Sequence, residues 1–167
     1  MPLDAAAILR YFDEHHAPLY RFAWRLTGSV ADAEDIVQEC FLTLLRPGCR
    51  FDPERTALRT YLFGAVYHQS LKRRRRPEAP SATVLPPTPE SECFHAELAG
   101  AVARAVSNLP DGQREVLLLA HYEQLPLAEI AAILGIEVGA VKSRLQRARA
   151  SLRETLAAYA PNPERQS

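Results

Sequence analysis

Hydrophobic positions in the first half of the chain recur at helical spacing and predict three helices. Between Ala31 and Pro47 the apolar residues fall at i, i+3, i+4, i+7, i+8 and i+11, which is the pattern of one buried helix face. Ser29 is placed to cap this helix, and Pro47-Gly48 to end it. A shorter helix is predicted before it, over Leu19 to Leu26, and a longer one after it, over about Thr56 to Arg76. The inner face of that longer helix is predicted to hold Leu58, Tyr61, Leu62, Ala65, Val66 and Gln69.

Helical periodicity resumes near Ala96 and predicts four further helices. Leu109-Pro110 ends the first of them, Asn108 or Asp111 is a candidate cap for the second, and that second helix covers Glu115 to Tyr122. A short third helix follows from apolar spacing over Leu127 to Leu134, and Gly135 can adopt a positive φ to end it. The last helix starts at Glu137, and its inward face is predicted to hold Val138, Val141, Leu145, Ala148 and Leu152.

The stretch between the two halves is rich in proline, at positions 77, 80, 86, 87 and 89, and has no basic residue before position 93. Such a segment cannot hold a helix and buries little, so it is predicted to be an extended linker. A plain spacer and a segment with an active role both remain open. The predicted fold is therefore all-α, with two small helical domains, residues 1–76 and 96–160. A flexible proline-rich linker, 77–95, joins them, and 161–167 form a tail.

Composition narrows the class of protein. The chain has 167 residues, of which 47% are apolar and 24% charged, so it is not wholly disordered. No apolar run approaches the roughly 18 residues that span a bilayer, and the first residues lack the pattern of a secretory signal. Three cysteines without tight spacing argue against a disulfide framework. We therefore expect a cytoplasmic protein with no membrane insertion.

Enzyme and metal chemistry find little support. The five histidines are scattered, no nucleophile and base stand at a familiar spacing, and no glycine-rich phosphate loop is present. Cys93 and His95 form either an inert pair or a redox or metal point. The carboxylates of Asp35 and Glu39 lack the Glu-x-x-His partner of a di-metal helix bundle. We expect no enzyme activity, no cofactor and no metal.

The charges are segregated, although the 20 basic and 20 acidic residues cancel. Residues 46–76 hold nine basic and two acidic side chains, a net of +7, and residues 142–153 hold five basic and none acidic, a net of +5. The other segments are acidic. Two compact basic segments among acidic ones suit a polyanionic partner, whereas ordinary solvated surfaces are the alternative.

The last two predicted helices have the layout of a helix-turn-helix, with a tight turn at Gly135. At about 100° per residue from Val138, the apolar side of the second helix spans about 280° to 360°. Small and polar residues lie opposite, between about 80° and 180°, with Ala140 and Arg144 just beyond. The opposite face therefore places Gly139, Ser143, Gln146 and Arg147 where they could meet base edges and phosphates, and its margin adds Lys142 and Arg149.

Two strings of residues resemble one protein family. The string Glu129-Ile130-Ala131, Leu134-Gly135-Ile136 and Val138 to Leu145, preceded by Gln113 to Leu119, resembles region 4 of bacterial sigma factors of the extracytoplasmic-function group. Ala33-Glu34-Asp35-Ile36-Val37-Gln38-Glu39-Cys40-Phe41 resembles the core helix of region 2, and Phe51-Asp52-Pro53-Glu54 and Tyr61-Leu62-Phe63 resemble the segment that follows it. The resemblance runs from about Tyr20 to Leu156, interrupted by the linker.

The resemblance implies that the chain binds core RNA polymerase and promoter DNA and has no catalytic chemistry of its own. In the family the outer face of the region 2 helix contacts the polymerase clamp, and an acidic and amide row would suit a basic partner. The alternative is an ordinary acidic helix surface. The matching positions here are Asp35, Gln38, Glu39 and Leu42.

The helix over Thr56–Arg76 matches the family segment that opens the upstream promoter element and captures flipped bases, although Tyr61 and its neighbours may serve as core instead. Tyr61 stands where the family usually has Trp, His68 where it has Asn, and Lys72 where Asp is common, so base preference at this element is open. The implied contacts for the upstream element are Tyr61, Tyr67, His68, Lys72 and Arg75.

The last helix matches the family segment that reads the farther promoter element. Ala140 stands where Thr is usual, which removes a hydroxyl. The linker matches a segment that threads the polymerase interior, and an anti-sigma factor that covers these surfaces is common in the family. The implied contacts for the farther element are Lys142, Ser143, Gln146 and Arg147, and the helix margin adds Arg144 and Arg149.

A stand-alone helix-turn-helix regulator is the alternative function. It would explain the second half of the chain and leave the Ala33–Phe41 motif and the Arg59–Arg76 segment without a role. Such a regulator would bind DNA tightly without polymerase, whereas a sigma factor of this group would bind weakly alone.

Overall fold

The computed structural model describes residues 4–74 and 93–159. Within these ranges it is all-α, as predicted, and contains no strand. A π-helical turn, Leu118–Tyr122, continues the fifth helix, and a short 3₁₀ turn covers Ala157–Tyr159. The α-helices are α1 (Ala5–Thr27), α2 (Val30–Leu45), α3 (Leu58–Arg74), α4 (Cys93–Ser107), α5 (Asp111–Leu117), α6 (Leu127–Leu134) and α7 (Val138–Thr155).

Helix α1 is much longer than predicted. Its end near Gly28 is confirmed, because Gly28 has φ 71° and its N–H donates to the carbonyl of Trp24 at 2.7 Å. Its predicted start at Leu19 is wrong, since the helix begins after Asp4 and continues through Pro18. A proline and a run of polar residues interrupted the apolar pattern, yet packing against α2 and α3 holds the first turns in place.

Helix α2 confirms the prediction in detail. The Ser29 hydroxyl accepts the N–H of Asp32 at 3.2 Å, which caps the helix at its start. Arg46 follows the last helical residue in an extended conformation, so the helix ends before Pro47-Gly48. All six residues of the predicted inner face are buried: Ala33, Ile36, Val37, Cys40, Phe41 and Leu44.

Aromatic side chains pack between the first three helices. Phe22 of α1 meets Phe63 of α3 edge-to-face, with ring centroids 5.4 Å apart, and Phe12 meets Phe41 of α2 in the same manner at 5.0 Å. The inner face of α3 differs from the prediction, because Phe63, Tyr67 and Ser70 are buried while Tyr61, Ala65 and Gln69 are half-buried. The buried face of α3 is therefore rotated relative to the prediction, toward Phe63, Tyr67 and Ser70.

Helices α4, α5 and α7 form a second packed group. Helix α4 begins at Cys93, three residues before the predicted start. Helix α5 begins at Asp111 and not at Glu115, and neither predicted cap is used, because Pro110 occupies the N-cap without a side-chain hydrogen bond. Glu115 therefore lies inside this helix, where its neighbours Val116 and Leu117 are buried.

The turn between α6 and α7 follows the prediction. Gly135 has φ 66°, and the N–H of Ile136 donates to the carbonyl of Ala131 at 3.1 Å, which closes the end of α6. Helix α7 starts after Glu137 as predicted. The predicted burial of Val138 is wrong, because its side chain is 37% exposed.

The chain divides into two compact units, Met1–Thr83 with Ala128–Ile136, and Val84–Leu127 with Glu137–Ser167. The predicted linker and tail are largely outside the described residues, as are Arg75 and the side chains of Cys93 and His95. Within residues 4–74 and 93–159, no helix is both long enough and apolar enough to cross a bilayer.

Candidate functional site

Helix α7 presents a polar, cationic face opposite its buried side. Val141, Leu145 and Ala148 are buried, so the helix has one fixed inward side. The face away from it carries no carboxylate from Val138 to Arg153. The exposed members of the predicted set for the farther element lie on this face or at its margin: Lys142, Ser143, Gln146, Arg147 and Arg149.

The first turn of α7 carries small side chains with open space around them. The Ser143 hydroxyl donates to the carbonyl of Gly139 at 3.1 Å, so its proton is engaged within the helix while its oxygen can still accept a hydrogen bond. A Cβ atom built at Gly139 would have no neighbour within 4 Å. The floor of a nucleic-acid groove could therefore approach the backbone of α7 closely at Gly139.

Arg144 lies apart from the exposed residues of α7. It is half-buried, and its guanidinium lies over the first turn of α5. A Cβ atom built at Gly112 would stand only 3.0 Å from its Nη1 atom. Arg144 thus packs between α7 and α5. The helical spacing had predicted it to lie just beyond the edge of the polar face.

The outer face of α2 brings together the residues predicted to meet polymerase. Asp35 and Gln38 are exposed, Glu39 is half-buried, and Leu42 is 50% exposed. The face thus combines carboxylate, amide and partly exposed apolar groups. We call these four residues the α2 outer face.

Basic side chains already touch two carboxylates of the α2 outer face. Arg46 pairs with Glu39 at 2.9 Å. Arg73 of α3 donates to Asp32 at 2.7 Å and lies 3.5 Å from Asp35. The hydrogen bond to Asp32 is the main cause that raises the pKa of Arg73. This pairing could not be predicted from the sequence, because a run of four arginines does not show which of them folds back onto α2.

The residues predicted to meet the upstream element are only partly displayed on α3. His68 and Lys72 are exposed, and Tyr61 is half-buried. Tyr67 is 9% exposed and belongs to the core, so its ring has no open face for a base. Arg75 lies outside the described residues.

Tyr61 is half-buried beside the loop that follows α2. Its ring packs against Phe51 with centroids 5.2 Å apart and planes inclined at 57°. Burial is the first cause that raises the pKa of the Tyr61 hydroxyl, and the neighbouring Cys49 adds to it. Within this loop the backbone N–H of Phe51 donates to the Cys49 sulfur at 3.5 Å.

A metal-binding role finds no support in the part of the chain that the structure describes. No group of three or more His, Cys, Asp or Glu side chains there could hold a metal ion. The histidines of α1 lie against aromatic rings: His15 stacks on Tyr11 with centroids 5.9 Å apart, and His16 meets Phe12 at 4.6 Å with the planes inclined at 41°.

Two parts of the chain match known protein families. Residues 11–79 match the family described as Sigma-70 region 2, and residues 99–152 match the family described as Sigma-70, region 4. The first range contains the α2 outer face and the exposed residues of α3. The second contains most of α7.

Curated relatives are similar over almost the whole chain. The extracytoplasmic-function RNA polymerase sigma factor SigL of Mycobacterium tuberculosis is 37% identical over 164 residues, which covers 92% of this chain and 90% of that protein. The corresponding sigma factor SigW of Bacillus subtilis is 29% identical over 170 residues, with 92% and 90% covered.

Solved structures share the fold. CnrH in complex with the cytosolic domain of CnrY superposes with a TM-score of 0.71 at 28% identity, covering 94% of this chain and 92% of that one. The sigma factor RpoE of Bartonella quintana, in complex with the anti-sigma factor NepR, superposes with a TM-score of 0.68 at 26% identity, covering 89% and 97%.

Proposed function

Because this chain belongs to the extracytoplasmic-function group of RNA polymerase sigma factors, which direct promoter-specific initiation of transcription, we propose how its residues divide that work. Residues 1–76 are the domain that binds core RNA polymerase and opens the upstream element. Residues 96–160 are the domain that reads the farther element. Residues 77–95 are the tether between them, and 161–167 the tail.

The α2 outer face is the polymerase contact in this proposal. Asp35 and Gln38 are exposed, and Leu42 adds a half-exposed apolar side chain at one end of the row. A basic surface on the polymerase would meet Asp35 and Glu39, which favours fast and oriented association. The pairs with Arg46 and Arg73 are compatible with this role, because surface ion pairs are weak and exchange readily.

The exposed end of α3 serves the upstream element. His68 and Lys72 can contact an opened strand, with Arg75 beyond them along the chain. Tyr61, half-buried beside Phe51, contributes the exposed part of its side chain. We leave Tyr67 out of this set, because a ring that is buried to this extent cannot stack on a base without unfolding the core.

The single observation that carries the proposal for the farther element is the exposed, carboxylate-free face of α7. Lys142, Arg147 and Arg149 supply positive charge, and Ser143 and Gln146 supply hydrogen-bonding groups between them. Side chains of this kind pair with guanine, adenine and phosphate. Arg144 belongs to the margin of this surface at most, because it packs over Gly112.

The remaining assignments follow from family membership. We expect an anti-sigma factor to cover these surfaces in the resting cell, since CnrH and the Bartonella RpoE were each solved with a bound partner. We also expect a cytoplasmic protein without catalytic activity, because the polymerase carries the chemistry.

Transcription in vitro tests the proposal. The intact chain is reconstituted with core polymerase on a library of genomic promoter fragments, next to Arg147→Ala. Arg104→Ala is the matched control, because Arg104 is also an exposed helical arginine but lies on α4. We expect specific initiation from the intact chain and the control, and a loss of about tenfold in promoter discrimination for Arg147→Ala. Absence of initiation from every fragment would contradict the proposal.

The stand-alone regulator predicts a different result in the absence of polymerase. A regulator would bind a promoter duplex tightly on its own, with strong salt dependence. The match of residues 11–79 to Sigma-70 region 2 favours the sigma factor instead, because a stand-alone regulator would leave that half of the chain without a role. Tight duplex binding by the free chain, unchanged by core polymerase, would reverse this choice.

A further inference from the structure

One arginine near the end of α3 is held against the start of α2. The Nη1 atom of Arg73 lies 2.7 Å from a carboxylate oxygen of Asp32 and 3.5 Å from one of Asp35. Asp32 stands in the first turn of α2, where the helix dipole favours a negative charge, and its side chain is about one-third exposed. The side chain of Asp35 is mostly exposed. The guanidinium is therefore shared between a partly shielded carboxylate and an open one.

The same arginine belongs to a run of basic residues that has a second use. The run begins at Lys72 and continues with arginines to position 76, and Lys72 is exposed. Arg73 leaves the helix about 100° from Lys72, in the last turn of α3. A long basic side chain in such a place can change rotamer and carry its charge into solvent. Arg73 therefore has two sets of possible partners, the carboxylates of α2 and an anion beside Lys72.

These two sets of partners compete for one guanidinium. Phosphate and carboxylate both offer oxygen acceptors to the planar fork of an arginine. A phosphate that takes Arg73 must displace Asp32 first, so it gains less from Arg73 than from an unpaired cation. Because the ion pair is partly exposed, the loss amounts to no more than about fivefold in affinity.

Asp35 connects this competition to the α2 outer face. A basic group that pairs with Asp35 removes one of the two partners of Arg73 and brings a like charge close to the guanidinium. Both effects weaken the hold of α2 on Arg73. A partner at Asp35 and a phosphate near Lys72 thus favour the same released state of Arg73. Each should therefore strengthen the binding of the other.

We propose that Asp32 and Asp35 form an internal counter-ion that withholds Arg73 from DNA in the free chain, and that polymerase binding at Asp35 releases this arginine to phosphates of the upstream element. The inference rests on the proposed roles of the α2 outer face and of the exposed end of α3. It adds Arg73 to the residues that meet DNA, but only once polymerase is bound.

DNA binding by the free, full-length chain tests the restraint. A fluorescent single-stranded oligonucleotide is titrated at low ionic strength and followed by anisotropy. We expect Asp32→Asn to bind about fivefold more tightly than the intact chain. Arg73→Ala should weaken binding about fivefold more in the Asp32→Asn background than in the intact one. The slope of log affinity against log salt should steepen by about 0.7 in Asp32→Asn, as for one added phosphate contact.

Glu34→Gln is the matched control, because it removes one negative charge from an exposed position of the same helix. We expect it to raise the affinity by less than about twofold, through general screened electrostatics alone. It should also leave the effect of Arg73→Ala unchanged. An equal gain in Glu34→Gln and Asp32→Asn would show that net charge, and not the pair with Arg73, controls binding.

Reconstitution with core polymerase tests the release. Each full-length variant is assembled into holoenzyme, and its affinity is measured for a promoter fragment that the intact holoenzyme selects. We expect Arg73→Ala to weaken this binding about fivefold. Asp32→Asn should leave it within about twofold of the intact value, because polymerase has already released Arg73.

The two arms have separate contrary outcomes. Equal effects of Arg73→Ala in the intact free chain and in the Asp32→Asn background would show that α2 does not withhold the arginine. A fivefold tighter promoter complex for the Asp32→Asn holoenzyme would show that polymerase does not release it. If no holoenzyme forms, the proposed function itself fails, whereas the measurements on the free chain still decide whether Asp32 restrains Arg73.

Discussion

Arg73 and Asp32 join the end of α3 to the start of α2 through a hydrogen bond of 2.7 Å between Nη1 and Oδ1. Both side chains are about one-third exposed, and Asp35 lies 3.5 Å from the same nitrogen. One member of the basic run is thus engaged by carboxylates within its own domain. The positive charge that α3 leaves unpaired is correspondingly smaller than its sequence indicates.

We expect Asp32→Asn to lower the free energy of unfolding by about 1 kcal/mol, since a partly exposed charged hydrogen bond contributes on this order. Asp35→Asn should change it less, because its contact is longer and its side chain more exposed. Urea unfolding followed by circular dichroism measures both. In a double-mutant cycle, Arg73→Ala should add little to Asp32→Asn, and fully additive effects would show that the pair is not coupled.

A buried thiol gives the first domain a sensitivity to alkaline pH. Cys40 is 3% exposed, and its burial raises its pKa from 9.0 to about 12. The unfolded chain releases this proton at lower pH than the folded chain does. Below pH 9 the Cys40 thiol is protonated in both states, and its contribution to the free energy of unfolding is complete. As the pH rises from 9 toward 12 that contribution falls, because the unfolded chain loses the proton first.

Thermal unfolding at several pH values measures this effect as the difference between the intact chain and Cys40→Ala. The slope that belongs to Cys40 should reach about 1.4 kcal/mol per pH unit above pH 9. The half-buried Cys49 should react with iodoacetamide at pH 8 well before Cys40 does. Identical pH profiles for the two proteins would disprove the assignment to Cys40.

The packing of Arg144 over Gly112 predicts a coupled pair of substitutions. Alanine at position 112 would favour the helix by up to about 1 kcal/mol, but its Cβ would stand 3.0 Å from the Arg144 guanidinium. The arginine end can move, so we expect Gly112→Ala to be close to neutral in the intact chain. In an Arg144→Ala background the same change should stabilise the second domain. Equal effects in both backgrounds, measured by urea unfolding, would show that the two positions do not interact.

Regular periodicity made most of the fold predictable. In α2 the inner face, the Ser29 cap and the stop before Pro47 all followed from local rules, because each depends on neighbours within one or two turns. The start of α1 did not follow, because residues around Pro18 are held by packing against other helices, which a sequence pattern does not display.

The sequence predicted which helix faces are exposed and charged, but not the position of every side chain on them. The wheel of α7 identified an exposed face, but it assigned Val138 to the core because a residue at the edge of an apolar arc can lie on either side. The pairing of Arg73 and the position of Arg144 depend on contacts between helices distant in sequence. Long flexible basic side chains have many reachable partners, so spacing alone cannot choose among them.

The α2 outer face gives the most direct prediction about the polymerase. Leu42 is 50% exposed at one end of this face and is not part of the buried core, so we expect Leu42→Ala to lower the free energy of unfolding by no more than about 1 kcal/mol. Its loss should nevertheless weaken binding to core polymerase about tenfold, because an apolar side chain that becomes buried in an interface contributes on the order of 1 to 2 kcal/mol.

Leu45→Ala is the matched control, since Leu45 is exposed to a similar extent on the same helix, one turn further on, outside the four-residue face. Surface plasmon resonance with immobilised core enzyme gives the dissociation constants, and the difference should lie mainly in the dissociation rate. Gln38→Ala should weaken binding by a smaller factor, because a rim amide is easily replaced by water. If Leu45→Ala weakens binding as strongly as Leu42→Ala, the contact surface extends beyond the face defined here, and if neither does, the polymerase binds another part of the chain.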